Sequence, residues 1–206
     1  NTIETTQPTT TRTKPRWFAN AKEPIAVLFD IDGTLIDSDG AGGAALLSAL
    51  HSEFDVQDAR SVVLHGRTDR GIIAELLHHN GVAATPENVR RLCSRYFRTL
   101  PAELARRSGR VLPGVHQILR EVESVDACHV GLLTGNMSVS ARMKLDHFGL
   151  WDFFRFGIFG DAVAHRPELS HPALAAVREQ VGRHLPARQI IIVGDTPLDV
   201  ELAKAM

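Results

Sequence analysis

Five apolar residues, Ile25-Ala26-Val27-Leu28-Phe29, run without a break into Asp30-Ile31-Asp32-Gly33-Thr34. A continuously apolar run, rather than an alternating one, reads as a parallel strand buried on both faces. Its carboxyl end is where open α/β sheets place their ligands. The same format returns late in the chain, where Ile190-Ile191-Ile192-Val193 leads into Gly194-Asp195-Thr196-Pro197-Leu198-Asp199. Two acidic strand ends, far apart in sequence and alike in form, point to strands of one sheet that share a metal site.

Further strand signals fall at Val130–Leu133 and roughly at 156–159, and helical periodicity separates most of them. Val115, Ile118, Leu119 and Val122 share one face, and Leu174, Val177, Val181 and Leu185 share another. Strands alternating with helices predict an α/β chain with a doubly wound, Rossmann-like parallel sheet. One stretch breaks the alternation. Between the first strand and Val130 lie about a hundred residues without a convincing strand, far more than a crossover needs. Leu46, Leu47, Leu50 and Phe54 form one helical stripe, and Ile72, Ile73, Leu76 and Leu77 a second. Val89, Leu92, Cys93, Tyr96, Phe97, Leu100 and Leu104 form a third, opened by Thr85-Pro86. Residues 38–112 therefore read as an inserted helical domain, with Leu112-Pro113-Gly114 as the return hinge. Residues 24–37 and 113–206 form the α/β core. Residues 1–23 are a polar, Thr-rich arm of the kind that stays disordered, with Trp17 and Phe18 pinning part of it. The first residue is Asn1 and Met206 falls in an early helical turn, so both ends read as incomplete.

The chain has 206 residues, 44% of them hydrophobic, and a net charge of −1, so no strong field argues for nucleic acid or a membrane surface as partner. No apolar run approaches a membrane span, and the N-terminus lacks a secretory pattern. Cys93 and Cys128 have no C-x-x-C or histidine spacing, which fits a reduced, cytoplasmic chain. The sequence does not set the oligomeric state.

Asp30 at the strand end can face the cleft as nucleophile and ligand, and Asp32 can hold or give a proton. Carboxylates this close repel unless a cation intervenes, and Mg²⁺, which takes oxygen ligands, resolves the conflict. Asp195 is the natural second metal carboxylate. Asp199, one turn further, either faces the same ion or complements the dipole of its own helix. Thr134-Gly135-Asn136, after the second core strand, offers a hydroxyl and free N–H groups suited to phosphate oxygens, or else a helix cap that Ser138 could also supply. Arg166, after the third, can grip phosphate or carboxylate, with a plain surface arginine as the competing reading. His165, His171 and the His78-His79 pair carry no assigned function.

In order, these residues resemble the four motifs of the haloacid dehalogenase-like hydrolases. Asp30-Ile31-Asp32-Gly33-Thr34 is similar to the first, Thr134 to the second, Arg166 to the third and Gly194-Asp195 through Asp199 to the fourth, across residues 25–204. The helical insert is similar to the caps of phosphoglycolate phosphatase-like and phosphoglucomutase-like members. The resemblance implies that Asp30 attacks phosphorus to form an aspartyl-phosphate and that Asp32 handles the proton. Mg²⁺ would then sit among Asp30, the Asp32 carbonyl, Asp195 and Asp199. Gly33, Thr134, Gly135 and Asn136 would meet the phosphoryl group, with Thr134 and Arg166 also catalytic. Arg67, in Gly66-Arg67-Thr68-Asp69, is placed to contact the substrate's far end, unless this stretch is only a helix start with Thr68 as its cap. Three departures stand out: Arg166 replaces the usual lysine, the chain ends before the strand that follows the fourth motif, and the N-terminal arm has no counterpart. The implied activity is a Mg²⁺-dependent phosphatase acting on a small phosphorylated metabolite. A phosphomutase is the alternative, followed by a dehalogenase, and a non-catalytic binding module ranks below these because all four acids are present.

Overall fold

The computed structural model describes residues 23–183 and 185–206; nearly all of the polar arm, including Trp17 and Phe18, lies outside the described residues. Six strands and seven helices follow in the order β1 (Ile25–Phe29), β2 (Ile36–Asp37), α1 (Ala41–Phe54), α2 (Asp69–His79), α3 (Pro86–Arg106), β3 (Arg110–Val111), α4 (Val115–Glu123), β4 (Cys128–Leu133), α5 (Ser138–His147), β5 (Phe156–Ile158), α6 (Ser170–Val181), β6 (Ile190–Val193) and α7 (Pro197–Lys204).

The four core strands form a parallel sheet in the order β5-β4-β1-β6. Register explains why chemistry gathers at one edge. Phe29 lies between Leu132 of β4 and Val193 of β6, so the residues that follow on all three strands emerge together. The ladder runs one step further through the Asp30 N–H, which donates to the Val193 carbonyl at 2.9 Å.

Alternation along β1 builds the layers. Val27 and Phe29 enter one apolar cluster with Val115, Leu119 and Val122 of α4 and Ala141 and Leu145 of α5. Ala26 and Leu28 enter another with Ala173 and Val177 of α6 and Leu202 of α7. A strand buried on both faces is what its unbroken apolar run predicts, and each large side chain so buried contributes about 1.5–3 kcal/mol.

The helices α1–α3 pack around a core of their own. Ala41, Ala45 and Ala49 recur every four residues on one face of α1 and are fully buried where that helix lies along α3. Met137, from the segment after β4, inserts into this same cluster and joins the helical unit to the sheet side. Thr85 and Pro86 open α3 as expected, with the Thr85 hydroxyl accepting from the Asn88 N–H.

Four expectations need correcting. β4 begins two residues early, at Cys128, and β5 ends at Ile158. The stretch read as strand-free holds two short strands, β2 and β3, which pair antiparallel at the root of the helical unit. Each has only two residues, too few for periodicity to register. The stripe Leu174–Leu185 does not belong to one helix. α6 closes at Gly182, whose φ of +74° suits glycine. Ala173 and Val177 form its buried face, and Leu185 rejoins the core from beyond the turn. Among the described residues no helix is long and apolar enough to cross a membrane.

Candidate active site

Asp30, Asp195 and Asp199 meet at the C-terminal edge of the sheet, with one oxygen of each within 4.8 Å of the others. Gly33 makes this possible. Its φ is +82°, and a Cβ there would fall 2.3 Å from Asp195 Oδ2, so only glycine lets the turn after Asp32 pass this close. The Thr34 hydroxyl donates to Asp195 Oδ1 at 3.2 Å. All three acids offer hard oxygen donors, the set that Mg²⁺ takes, so these residues fit a resident divalent cation.

Arg166 stands among them rather than on the surface. Its side chain is 2% exposed; Nη2 forms an ion pair with Asp30 Oδ2 at 3.0 Å and donates a hydrogen bond to Asp199 Oδ1. The arginine takes Asp199, not Asp195, as its second acid. Both oxygens of Asp199 meet the chain's own donors, since the other, Oδ2, accepts from the Thr196 N–H at 3.0 Å and the Thr196 hydroxyl at 2.7 Å. This is a capping box at the start of α7, so Asp199 faces the acidic cluster and caps its helix at once.

Asp32 turns the other way, towards a lysine that the motifs did not reveal. Lys144 of α5, buried, donates from Nζ to Asp32 Oδ2 and to Asn136 Oδ1, both at 2.6 Å. Asn136 Nδ2 closes the triangle on Asp32 Oδ2 at 2.8 Å. The Asp32 side chain therefore stands apart from the acidic cluster. Lys144 shares the buried side of α5 with Ser140, Ala141 and Leu145, a mixed face that no motif marks.

Two carboxylates two residues apart thus have opposite electrostatics. Burial pushes Asp30 up to about 6, with Arg166 opposing and Asp199 reinforcing the rise. Burial also works to raise Asp32, but the Lys144 charge and the hydrogen bonds from Lys144 and Asn136 outweigh it and hold Asp32 below the usual carboxylate range. Lys144 is raised because Asp32 and Asp69 overcome the effect of its burial.

A group whose folded pKa lies above its unfolded value supports stability only at low pH, and that support fades as pH rises through the folded pKa. Metal-free protein should therefore lose the Asp30 contribution between about pH 4 and pH 6. The gap between wild type and Asp30→Asn in urea unfolding with a chelator should shift over that window by roughly 2–3 kcal/mol in favour of the variant. A flat difference across the window would contradict the buried placement of Asp30.

Thr134 is fully buried, and its hydroxyl oxygen accepts from Asn136 N at 3.3 Å and Nδ2 at 2.9 Å. Ser138 does not cap α5 by its own side chain; its N–H and hydroxyl instead donate to Asp161 at 2.9 and 3.0 Å. Arg67 lines the cleft, yet its guanidinium donates to Glu75 at 2.5 Å and to the Val63 carbonyl at 3.0 Å. Thr68 caps α2 as expected. Asp69 does not stay with its own helix and reaches α5 instead. The cleft, about 280 Å³, is lined by Asp30, Asp32, Asp195 and Arg166 from the sheet side and by Leu46, Arg67 and Tyr96 from the helical unit.

A parallel sheet brings acidic strand ends to one edge, beneath a helical unit and around a small polar cleft, which makes this an α/β chain with a candidate site at the carboxyl ends of its strands. The chain belongs to the haloacid dehalogenase-like hydrolase family, whose sequence model matches residues 27–206. It is 30% identical over 187 residues to the phosphoglycolate phosphatase of Xanthomonas campestris pv. campestris strain 8004, covering 88% of this chain and 79% of that protein. Against the phosphoglycolate phosphatase of Rhodospirillum rubrum it is 30% identical over 193 residues, covering 88% and 76%. The crystal structure of CbbY from Rhodobacter sphaeroides in complex with phosphate superposes with a TM-score of 0.71 at 18% identity, covering 88% of this chain and 82% of that one. At that identity the likeness speaks for the fold.

Proposed function

We propose that this chain is a Mg²⁺-dependent, cytoplasmic phosphatase that hydrolyses a small phosphorylated metabolite through an aspartyl-phosphate on Asp30, with residues 38–112 as its cap. The observation that carries the reading is the placement of Asp30: 4% exposed, on the wall of the cleft, with Arg166 and two further carboxylates around it. The similarity to two phosphoglycolate phosphatases supports the substrate class.

In this reading Asp30 attacks phosphorus, the bond to the leaving oxygen breaks, and Asp32 delivers the proton that oxygen needs. Asp32 then takes a proton from the water that cleaves the aspartyl-phosphate, which restores the one it gave. Lys144 and Asn136 favour its ionised form in the free site, so Asp32 must take up a proton as substrate enters before it can act as the acid. Asp30, the Asp32 carbonyl, Asp195 and Asp199 would hold Mg²⁺, which when bound supplies charge neutralisation for the phosphoryl oxygens and relieves repulsion between the acids. Gly33, Gly135 and Asn136, which line the cleft, are assigned to the phosphoryl group, and Thr134, fully buried and outside the lining, is assigned with them through Asn136. Arg166, paired with Asp30 at 3.0 Å, holds that carboxylate in line. Arg67, on the helical side of the cleft, is assigned to the substrate's far end, which requires its pair with Glu75 to open.

The test is a panel of phosphorylated metabolites scored for phosphate release with Mg²⁺ and with a chelator. Release from at least one small phosphoester, abolished by the chelator, is expected. An isomer formed in place of free phosphate would replace this reading with a mutase, and Mg²⁺ binding without turnover on any member would replace it with a binding module.

A further inference from the structure

One carboxylate of the helical unit takes part in a polar network on the sheet side. Asp69, in the first turn of α2, is 7% exposed. Its Oδ2 accepts the Met137 N–H at 2.8 Å and the Ser140 hydroxyl at 2.7 Å, both at the start of α5. Its own N–H donates to the Gly135 carbonyl at 2.7 Å, and the neighbouring Thr68 hydroxyl donates to the Ala164 carbonyl at 2.8 Å. The seat is cut to fit backbone against backbone. A Cβ on Gly135 would stand 2.0 Å from the Arg67 carbonyl oxygen, and one on Gly71 would stand 2.4 Å from that of Ala164. Ser140 lies four residues, one helical turn, before Lys144, so a bond that fixes the first also orients the second. Asp69 also lies near enough to Lys144 to help raise its pKa.

We propose that Asp69 is a positioning residue: by tying α2 to the first turn of α5 it holds Lys144 against Asp32, so that the proton-handling carboxylate is correctly placed only while the helical unit is seated. The proposal rests on the role assigned to Asp32 above. The donors on α5 would otherwise belong to an uncapped helix start, since Met137 offers no side-chain cap. The tie spends them on the helical unit, and the bonds that seat it and the bonds that place Lys144 therefore lie one turn apart on one helix. A helical unit lifted from its seat frees the start of α5, and Lys144 loses its fixed approach to Asp32.

The full chain is tested as wild type, Asp69→Ala and Asp69→Asn, with inorganic phosphate as the occupant in binding experiments. Hydrogen exchange at the Met137 amide and at the amide of residue 69, which donates to the Gly135 carbonyl, reads the seat, and steady-state kinetics read the site. Asp69→Ala should expose both amides and lower kcat between about 10- and 100-fold, with KM within about threefold, because the loss is one of alignment. Asp69→Asn, whose amide oxygen can accept both hydrogen bonds, should recover protection and most of kcat. It also serves where the alanine variant fails to fold. A kcat within about twofold of wild type in Asp69→Ala despite exposed amides, or a rise in KM alone, overturns the proposal. Crystal structures read the same arrangement without turnover. Lys144 should leave Asp32 in Asp69→Ala, and Lys144 still bonded there also overturns it. A wild type silent on every phosphoester would instead sink the phosphatase reading, with the exchange and crystallographic results still deciding the role of Asp69.

Discussion

Asp30→Asn should lower phosphate release from p-nitrophenyl phosphate by at least about a thousandfold, the scale on which enzymes lose rate when a nucleophile is removed. The asparagine is nearly isosteric and can keep an oxygen beside Nη2 of Arg166, so the fold has no reason to change. The amide nitrogen cannot attack phosphorus, however, and the site loses one of its three clustered carboxylates. The same change should stabilise the metal-free protein above pH 6, because it removes a carboxylate that burial holds up near that value. Activity and stability therefore move in opposite directions, which separates loss of a nucleophile from general damage. A variant that keeps more than about a tenth of wild-type turnover would remove Asp30 from its assigned role.

Much of this site could be read from the chain because its acids follow apolar strands, and a strand end in a parallel sheet has a predictable address. Ile25–Phe29 and Ile190–Val193 form the strands expected of them, and Asp30 and Asp195 come together at their ends. The sheet and the helical insert followed from the same periodicities. What the sequence concealed is what depends on direction within helices and loops. Lys144 looks like any helical lysine until α5 is rotated onto the sheet and its side chain is found beneath Asp32. Asp69 reads as an ordinary first-turn acid because nothing local shows that its partners lie on another helix. For Arg166 and Asp199, two competing readings each were settled by tertiary packing. The arginine is buried between acids, and the aspartate serves the cluster and its own helix together. Two-residue strands such as β2 and β3 are beyond any periodic signal, since they exist through pairing across the root of the helical unit.

Arg166→Met carries the largest expected effect on stability. The side chains of Arg166, Asp30 and Asp199 are 2%, 6% and 4% exposed, so the guanidinium is screened little and counts heavily in the balance of two buried carboxylates. Removing one partner of such a group typically costs about 3–5 kcal/mol, because the remaining charges stay buried without compensation. Urea unfolding at pH 7.5 with a chelator should show a loss of that order. Three controls follow from the same electrostatics. Mg²⁺ should restore part of the loss, since a ligand bound by the folded state stabilises it by mass action. Lowering the pH should restore part as well, because the buried Asp30, freed of the Arg166 charge that lowers its pKa, takes up a proton more readily than in wild type. Asp30→Asn on top of Arg166→Met should give a protein more stable than Arg166→Met alone, a non-additivity expected of residues in direct contact. Arg166→Lys keeps the charge but not the planar guanidinium whose Nη2 meets both Asp30 and Asp199, so it should fall between wild type and the methionine variant. If Arg166→Met unfolds within about 1 kcal/mol of wild type under all these conditions, the buried ion cluster contributes far less to stability than its geometry implies.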